Sequence, residues 1–237
     1  MKDLKNIIIE KLHITSKSSI SSHAYKYWPT RFKELSKLIR QLIKERGDNA
    51  DLNDIDVSQI KDMTNLFAGL PIHNIDISTW EVGNVESFEN MFFGCKDFNC
   101  DLSLWDVRKC TKFYHMFEGC TSFNSKLDKW EISQANSLLN MFNNCTSFEG
   151  NGLENWDLSN CTSLYGVFCG CKNFNCDISN WNVSKVKYFN KCFKDCINFN
   201  YDLSNWNVKS DKFYMRETFD GCTKLIENKK IPNWYKE

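Results

Sequence analysis

The sequence predicts an α/β repeat protein, a right-handed solenoid of about seven 25-residue strand–helix units behind an N-terminal helical cap. Three observations predict it. Tryptophan recurs at Trp80, Trp105, Trp130, Trp156, Trp181 and Trp206, at steps of 25 or 26 residues. Phenylalanine keeps the same rhythm at Phe92, Phe117, Phe142, Phe168, Phe193 and Phe219, and three residues beyond each stands Cys95, Cys120, Cys145, Cys171, Cys196 or Cys222. Within one unit, Trp105-Asp106-Val107 alternates like a short half-buried strand, while Cys110, Phe113, Met116, Phe117 and Cys120 fall three and four apart, like one face of a helix.

Along the chain, Leu4, Ile8 and Leu12 suggest a short helix, and the serine-rich stretch Thr15 to Ser22 reads as a linker. Pro29 followed by Leu35, Leu38, Ile39, Leu42 and Ile43 reads as an amphipathic helix stopped by Gly47. Residues 1–50 then form a cap that covers the first repeat. Repeats fill 51–228, opening on a copy in which Ile55 holds the tryptophan position. Ser133, Ser159 and Ser184 stand where helix N-caps are expected. Residues 229–237 close the array, because Pro232 cannot donate to a ladder and suits a terminating edge. One unit is too small to bury its own apolar face. Stacking equivalent strands at roughly 4.8 Å solves this, in the manner of a leucine-rich-repeat solenoid with aromatics in place of leucines.

Thirty basic and thirty acidic residues balance, and 42% of the chain is hydrophobic, which excludes a disordered chain and a basic nucleic-acid binder. Residues 1–50 nonetheless carry 11 basic and 5 acidic groups. Arg31, Lys33, Lys37, Arg40, Lys44 and Arg46 read as the solvated face of the cap helix. No run reaches the ~18 apolar residues of a membrane helix, and no signal-peptide core is visible. The expectation is a cytoplasmic chain without a membrane span.

Of twelve cysteines, nine occupy repeat-core positions and read as small buried thiols, a reduced ladder that fits the cytosol. Cys169-x-Cys171 with Cys176 suggests a zinc site, but Cys171 points inward by frame and no histidine lies near it. His13, His23, His73 and His115 share no repeat position, and no phosphate-binding loop is present. No catalytic residue, metal or cofactor is expected, and the chain is read as not an enzyme.

Between tryptophan and the next apolar residue lies a polar series: Asp56, Glu81, Asp106, Glu131, Asp157, Asn182 and Asn207. One reading makes it a solvated or backbone-bonded face; the other makes it a binding stripe for a basic partner. A second row, Asp51, Asp76, Asp101, Asp177 and Asp202, reads as turn residues accepting their own backbone amides. Asn99, Asn124, Asn175 and Asn200 look like an internal amide ladder, and Gly150-Asn151-Gly152 holds an extra residue that bulges. The function expected is non-enzymatic recognition of a protein partner through the exposed face. Self-assembly through the array's ends or edges is the alternative.

The pattern D-[LI]-S-x-W-[DN]-V followed by M-F-x-G-C-x-x-F-N, together with the stretch from Tyr27 to Phe67, resembles the BspA-like leucine-rich-repeat surface-protein family. That resemblance covers about 51–228. It implies a leucine-rich-repeat fold and a surface or host-interaction role without enzymatic activity, hence a surface adhesin if an export segment precedes these residues.

Overall fold

A computed structural model describes residues 25–236. The short helix expected over 4–12, the linker over 15–22, and His13 and His23 lie outside the described residues. Helix α1 (Phe32–Arg46) buries Leu35, Leu38, Ile39 and Leu42, the stripe that a 3.6-residue period turns to one side. The Glu34 carboxylate accepts the N–H groups of Thr30 (3.0 Å) and Arg31 (3.2 Å), satisfying donors at the helix start. Gly47, at φ 88°, ends the helix and donates its N–H to the Ile43 carbonyl. Arg46 then grips Asp54 through two 2.9 Å hydrogen bonds, and Lys26 approaches the same carboxylate at 3.3 Å. Burial alone would raise the Asp54 pKa, but these cations hold it below the usual carboxylate value. The cap is thus pinned to the first repeat by charge as well as by apolar contact.

The strand–helix repeat expected from the sequence does not form. Among the described residues no helix lies between Arg46 and Lys212, and pairing is confined to isolated parallel bridges such as Asp62 with Ser87 and Ser87 with Lys112. Trp105-Asp106-Val107 is no strand; the Trp105 and Cys110 N–H groups close turns onto Leu102 and Val107. Nor do Ser133, Ser159 and Ser184 cap helices, since none follows them. The leucine-rich-repeat expectation falls with these elements.

Each unit is instead a coil of tight turns. Around Phe92, the N–H groups of Met91, Phe93 and Cys95 bond back three residues to Phe88, Asn90 and Phe92. The intervening N–H groups, on Phe88, Asn90, Phe92 and Gly94, donate to the next coil at Lys112, Tyr114, Met116 and Glu118, over 2.8–2.9 Å. Successive amides therefore alternate between their own coil and its neighbour. A left-handed residue two places before and two after each column phenylalanine makes this alternation possible: Asn90 (φ 53°) and Gly94 (φ 73°), then His115 (φ 55°) and Gly119 (φ 77°). Positive φ every fourth residue is incompatible with a continuing α-helix.

Three aromatic columns fill the interior. Phe67, Phe92, Phe117, Phe142, Phe168, Phe193 and Phe219 stack with ring centroids 5.4–5.9 Å apart. Phe98, Phe123, Phe148, Phe174 and Phe199 form a second column at 5.6–6.4 Å, each ring lying within 5 Å of the first column in its own coil. The tryptophans are buried beside them, and Trp80–Trp105, Trp156–Trp181 and Trp181–Trp206 stack at 6.3–6.4 Å. Each indole N–H donates to a carbonyl of the preceding coil, from Trp80 onto Leu52 to Trp206 onto Ile178. Burying one such ring contributes about 1.5–3 kcal/mol. The indole bond removes the cost of sealing a polar N–H in that interior.

At the far end Trp234, in the short helix α3 (Asn233–Lys236), stacks on Trp206 at 6.2 Å and donates to the Leu203 carbonyl. It continues the column while α2 (Thr223–Glu227) replaces the regular turns of the coil before it.

Candidate interaction surface

The polar series after the tryptophans lies at the surface: Asp56 is half-buried, and Glu81, Asp106, Glu131, Asp157, Asn182 and Asn207 are exposed. These residues sit on turns rather than on a sheet face. Four of them serve the backbone. Asp56, Asp106, Asp157 and Asn182 accept the N–H two residues on, at 2.9–3.2 Å, which closes the turn. Asp106 also holds Arg108 through two further bonds of 2.8 and 2.9 Å, and that guanidinium keeps its carboxyl below the usual range. Glu81 and Glu131 are one methylene too long for this turn and extend into solvent. Open grooves run between successive coils here, lined by Glu81, Leu104 and Asp106 on one level and by Lys129, Glu131 and Asp157 on another. Lys109 and Lys185 brace the rungs by donating to Asn84 (2.6 Å) and Asn160 (3.1 Å) one coil back.

The second aspartate row is entirely structural. Asp51, Asp76, Asp101, Asp177 and Asp202 each accept the N–H two residues on, at 2.9–3.1 Å. The asparagine series does the same job between coils: the side-chain oxygens of Asn99, Asn124 and Asn175 take the N–H of residues 124, 149 and 200. At the extra residue, Gly150 and Gly152 take φ 89° and 95°, and the two phenylalanine columns continue across it.

The packing explains why cysteine recurs. The thiols of Cys95, Cys120, Cys145, Cys171, Cys196 and Cys222 each donate to the carbonyl of the column phenylalanine one coil back, at 2.9–3.1 Å. The side chain is small enough for the rung, and its weak donor takes the second lone pair of a carbonyl whose first already closes a turn, as the Phe92 oxygen does for the Cys95 N–H. All twelve cysteines are free; Cys169 is half-buried and the other eleven are buried. Burial pushes the thiols of Cys95, Cys110 and Cys222 up to about 12. Native protein at pH 8 should therefore alkylate chiefly at Cys169, with the other eleven modified only after denaturation, as mass spectrometry of labelled peptides would show. Rapid labelling of Cys120 or Cys145 would contradict this packing. Cys169, Cys171 and Cys176 are not brought together as ligands, since among the described residues no three His, Cys, Asp or Glu side chains converge on a common point.

One exposed feature stands outside the repeat pattern. Tyr188, Phe213 and Tyr214 stand 40%, 55% and 38% exposed on the last two coils. Tyr188 and Tyr214 meet edge to face at 4.9 Å, Phe213 and Tyr214 at 5.2 Å, and the Arg216 guanidinium lies 4.3 Å over the Phe213 ring. The equivalent positions in the third coil are Thr111 and Lys112, and in the fifth Thr162 and Ser163. Departure from the repeat was the available signal.

Ladders of inward aromatics on turn-built coils, with a polar surface that varies from rung to rung, define this chain as a stacked repeat protein. The chain belongs to the family described as Mycoplasma protein of unknown function, DUF285, whose profile matches residues 33–152 and again 136–237. No curated protein matches the chain. Among the described residues no helix is long and apolar enough to cross a membrane.

Proposed function

We propose that this protein is a non-enzymatic recognition module that binds a protein partner through the exposed strip following its tryptophans. The observation that carries this reading is the contrast within the strip. Asp56, Asp106, Asp157 and Asn182 are committed to turns, whereas Glu81 and Glu131 project from equally fixed rungs with no backbone role. Side chains held on a rigid ladder lose little freedom on docking, which favours affinity without a pocket. The buried, carbonyl-bonded thiols support a structural rather than a chemical use of cysteine, and a reducing compartment such as the cytoplasm. Sequence resemblance to BspA-like surface repeat proteins supports a second reading, display at the cell surface with the same strip as the contact face.

Glu81→Lys combined with Glu131→Lys tests the proposal, because neither residue closes a turn. The double variant should keep the wild-type melting curve and lose at least tenfold in affinity for a protein captured by the wild type. Unchanged capture would remove this strip from the function.

A further inference from the structure

The strip changes character along the stack. Its polar series is acidic through Asp157 and then neutral at Asn182 and Asn207. The change extends beyond the series itself: residues 51–157 hold 17 acidic and 7 basic groups, whereas 158–237 hold 8 acidic and 12 basic. A few residues further along the coil, where the series loses its charge, Tyr188, Phe213 and Tyr214 come to the surface. Lys187, Lys209 and Lys212 are exposed around them, and Arg216 lies across Phe213. The nearby acids are engaged: Asp211 accepts the Phe213 N–H at 2.8 Å, and Glu217 pairs with Lys194.

Three exposed rings on adjacent rungs have no role in the interior columns, and leaving them in water has a cost that a partner would remove. Tyrosine and arginine clusters of this kind dominate the energetics of protein interfaces. The rings stand at 82° and 89° to one another. They therefore offer no run of parallel faces on which successive nucleobases could stack, which favours a protein partner over single-stranded nucleic acid. That partner must present an acidic surface, and this chain carries one on its own earlier coils.

We infer that the partner of this strip is a second copy of the chain, docked antiparallel so that each copy's Tyr188–Phe213–Tyr214–Arg216 cluster meets the other's Glu81–Glu131 stretch. Antiparallel pairing makes both complementary contacts at once and closes as a two-fold dimer, whereas a parallel pairing would set like charges together. The inference rests on the reading of the strip as a binding face and names its occupant.

Sedimentation velocity on the full chain tests it. Wild-type protein should dimerise in low salt and dissociate more readily as salt rises, since charge pairing at a rim is screened. Lys212→Glu with Arg216→Glu should give a monomer, as should Glu81→Lys with Glu131→Lys. Mixing the two double variants should restore a heterodimer, because both contacts then pair opposite charges again. That rescue also shows that neither variant lost its fold. A wild type that stays monomeric at every concentration, or a dimer that both double variants leave intact, overturns the inference. A monomer whose captured protein partner is still lost on Glu81→Lys and Glu131→Lys would overturn the dimer alone and leave the recognition reading standing.

Discussion

Phe142→Ala is expected to lower the unfolding free energy by about 3–5 kcal/mol, at the upper end of buried truncations. The ring is fully buried, stacks between Phe117 at 5.6 Å and Phe168 at 5.9 Å, and touches Phe148 at 4.3 Å in its own coil. Its removal leaves a gap in the middle of a continuous column. The surrounding coils cannot collapse into it, because the Phe142 N–H is tied to the Val167 carbonyl at 3.0 Å and the Cys145 thiol is tied to Phe117. Denaturant unfolding followed by tryptophan fluorescence measures the loss. A neutral result would mean that the columns do not carry the stability assigned to them.

Gly152→Ala should be nearly as damaging, for a different reason. The glycine sits at φ 95°, and a Cβ there would lie 2.3 Å from the Asp128 backbone nitrogen and 2.7 Å from its Cα. Backbone cannot swing aside as a side chain would. Strain of roughly 1–3 kcal/mol for the disallowed torsion adds to a clash of about 1–3 kcal/mol. Gly152 is buried, so the added methyl has no open space to enter, and a melting temperature within a degree of wild type would contradict this geometry. The extra residue of the fifth coil is thus tolerated only because glycine is there to absorb it.

The rings that fill the interior could be read from their 25-residue recurrence, and the outward position of Glu81 and Glu131 from alternation next to tryptophan. The local backbone could not. Apolar residues three and four apart, as at Cys110, Phe113, Met116, Phe117 and Cys120, satisfy an amphipathic helix and a chain of three-residue turns equally well. What separates the two is a second period that hydrophobicity does not register. Gly69, Gly94, Gly119, Gly170 and Gly221, with Asn144 and Asp195 in the same place, follow the column phenylalanine by two residues, and all hold positive φ. Glycine and asparagine are the residues that most readily take that conformation, so their recurrence inside a supposed helix was the telling sign. For the surface the difficulty was the opposite. A repeat frame emphasises what every copy shares, and Tyr188, Phe213 and Tyr214 matter because their copies differ from the rest.

Alternation of backbone amides between a coil and its neighbour has a consequence for how such a chain can change size. Each level offers the one above it the same row of carbonyls that it receives from below, so a whole level can be added or excised while those left behind find identical partners. A gain or loss smaller than a level must instead be absorbed within its own coil, as glycine absorbs the extra residue at 150–152, or every later amide falls out of step. Length in this architecture is therefore inherited in discrete increments, and the outer surface can be extended without redesigning what lies beneath it.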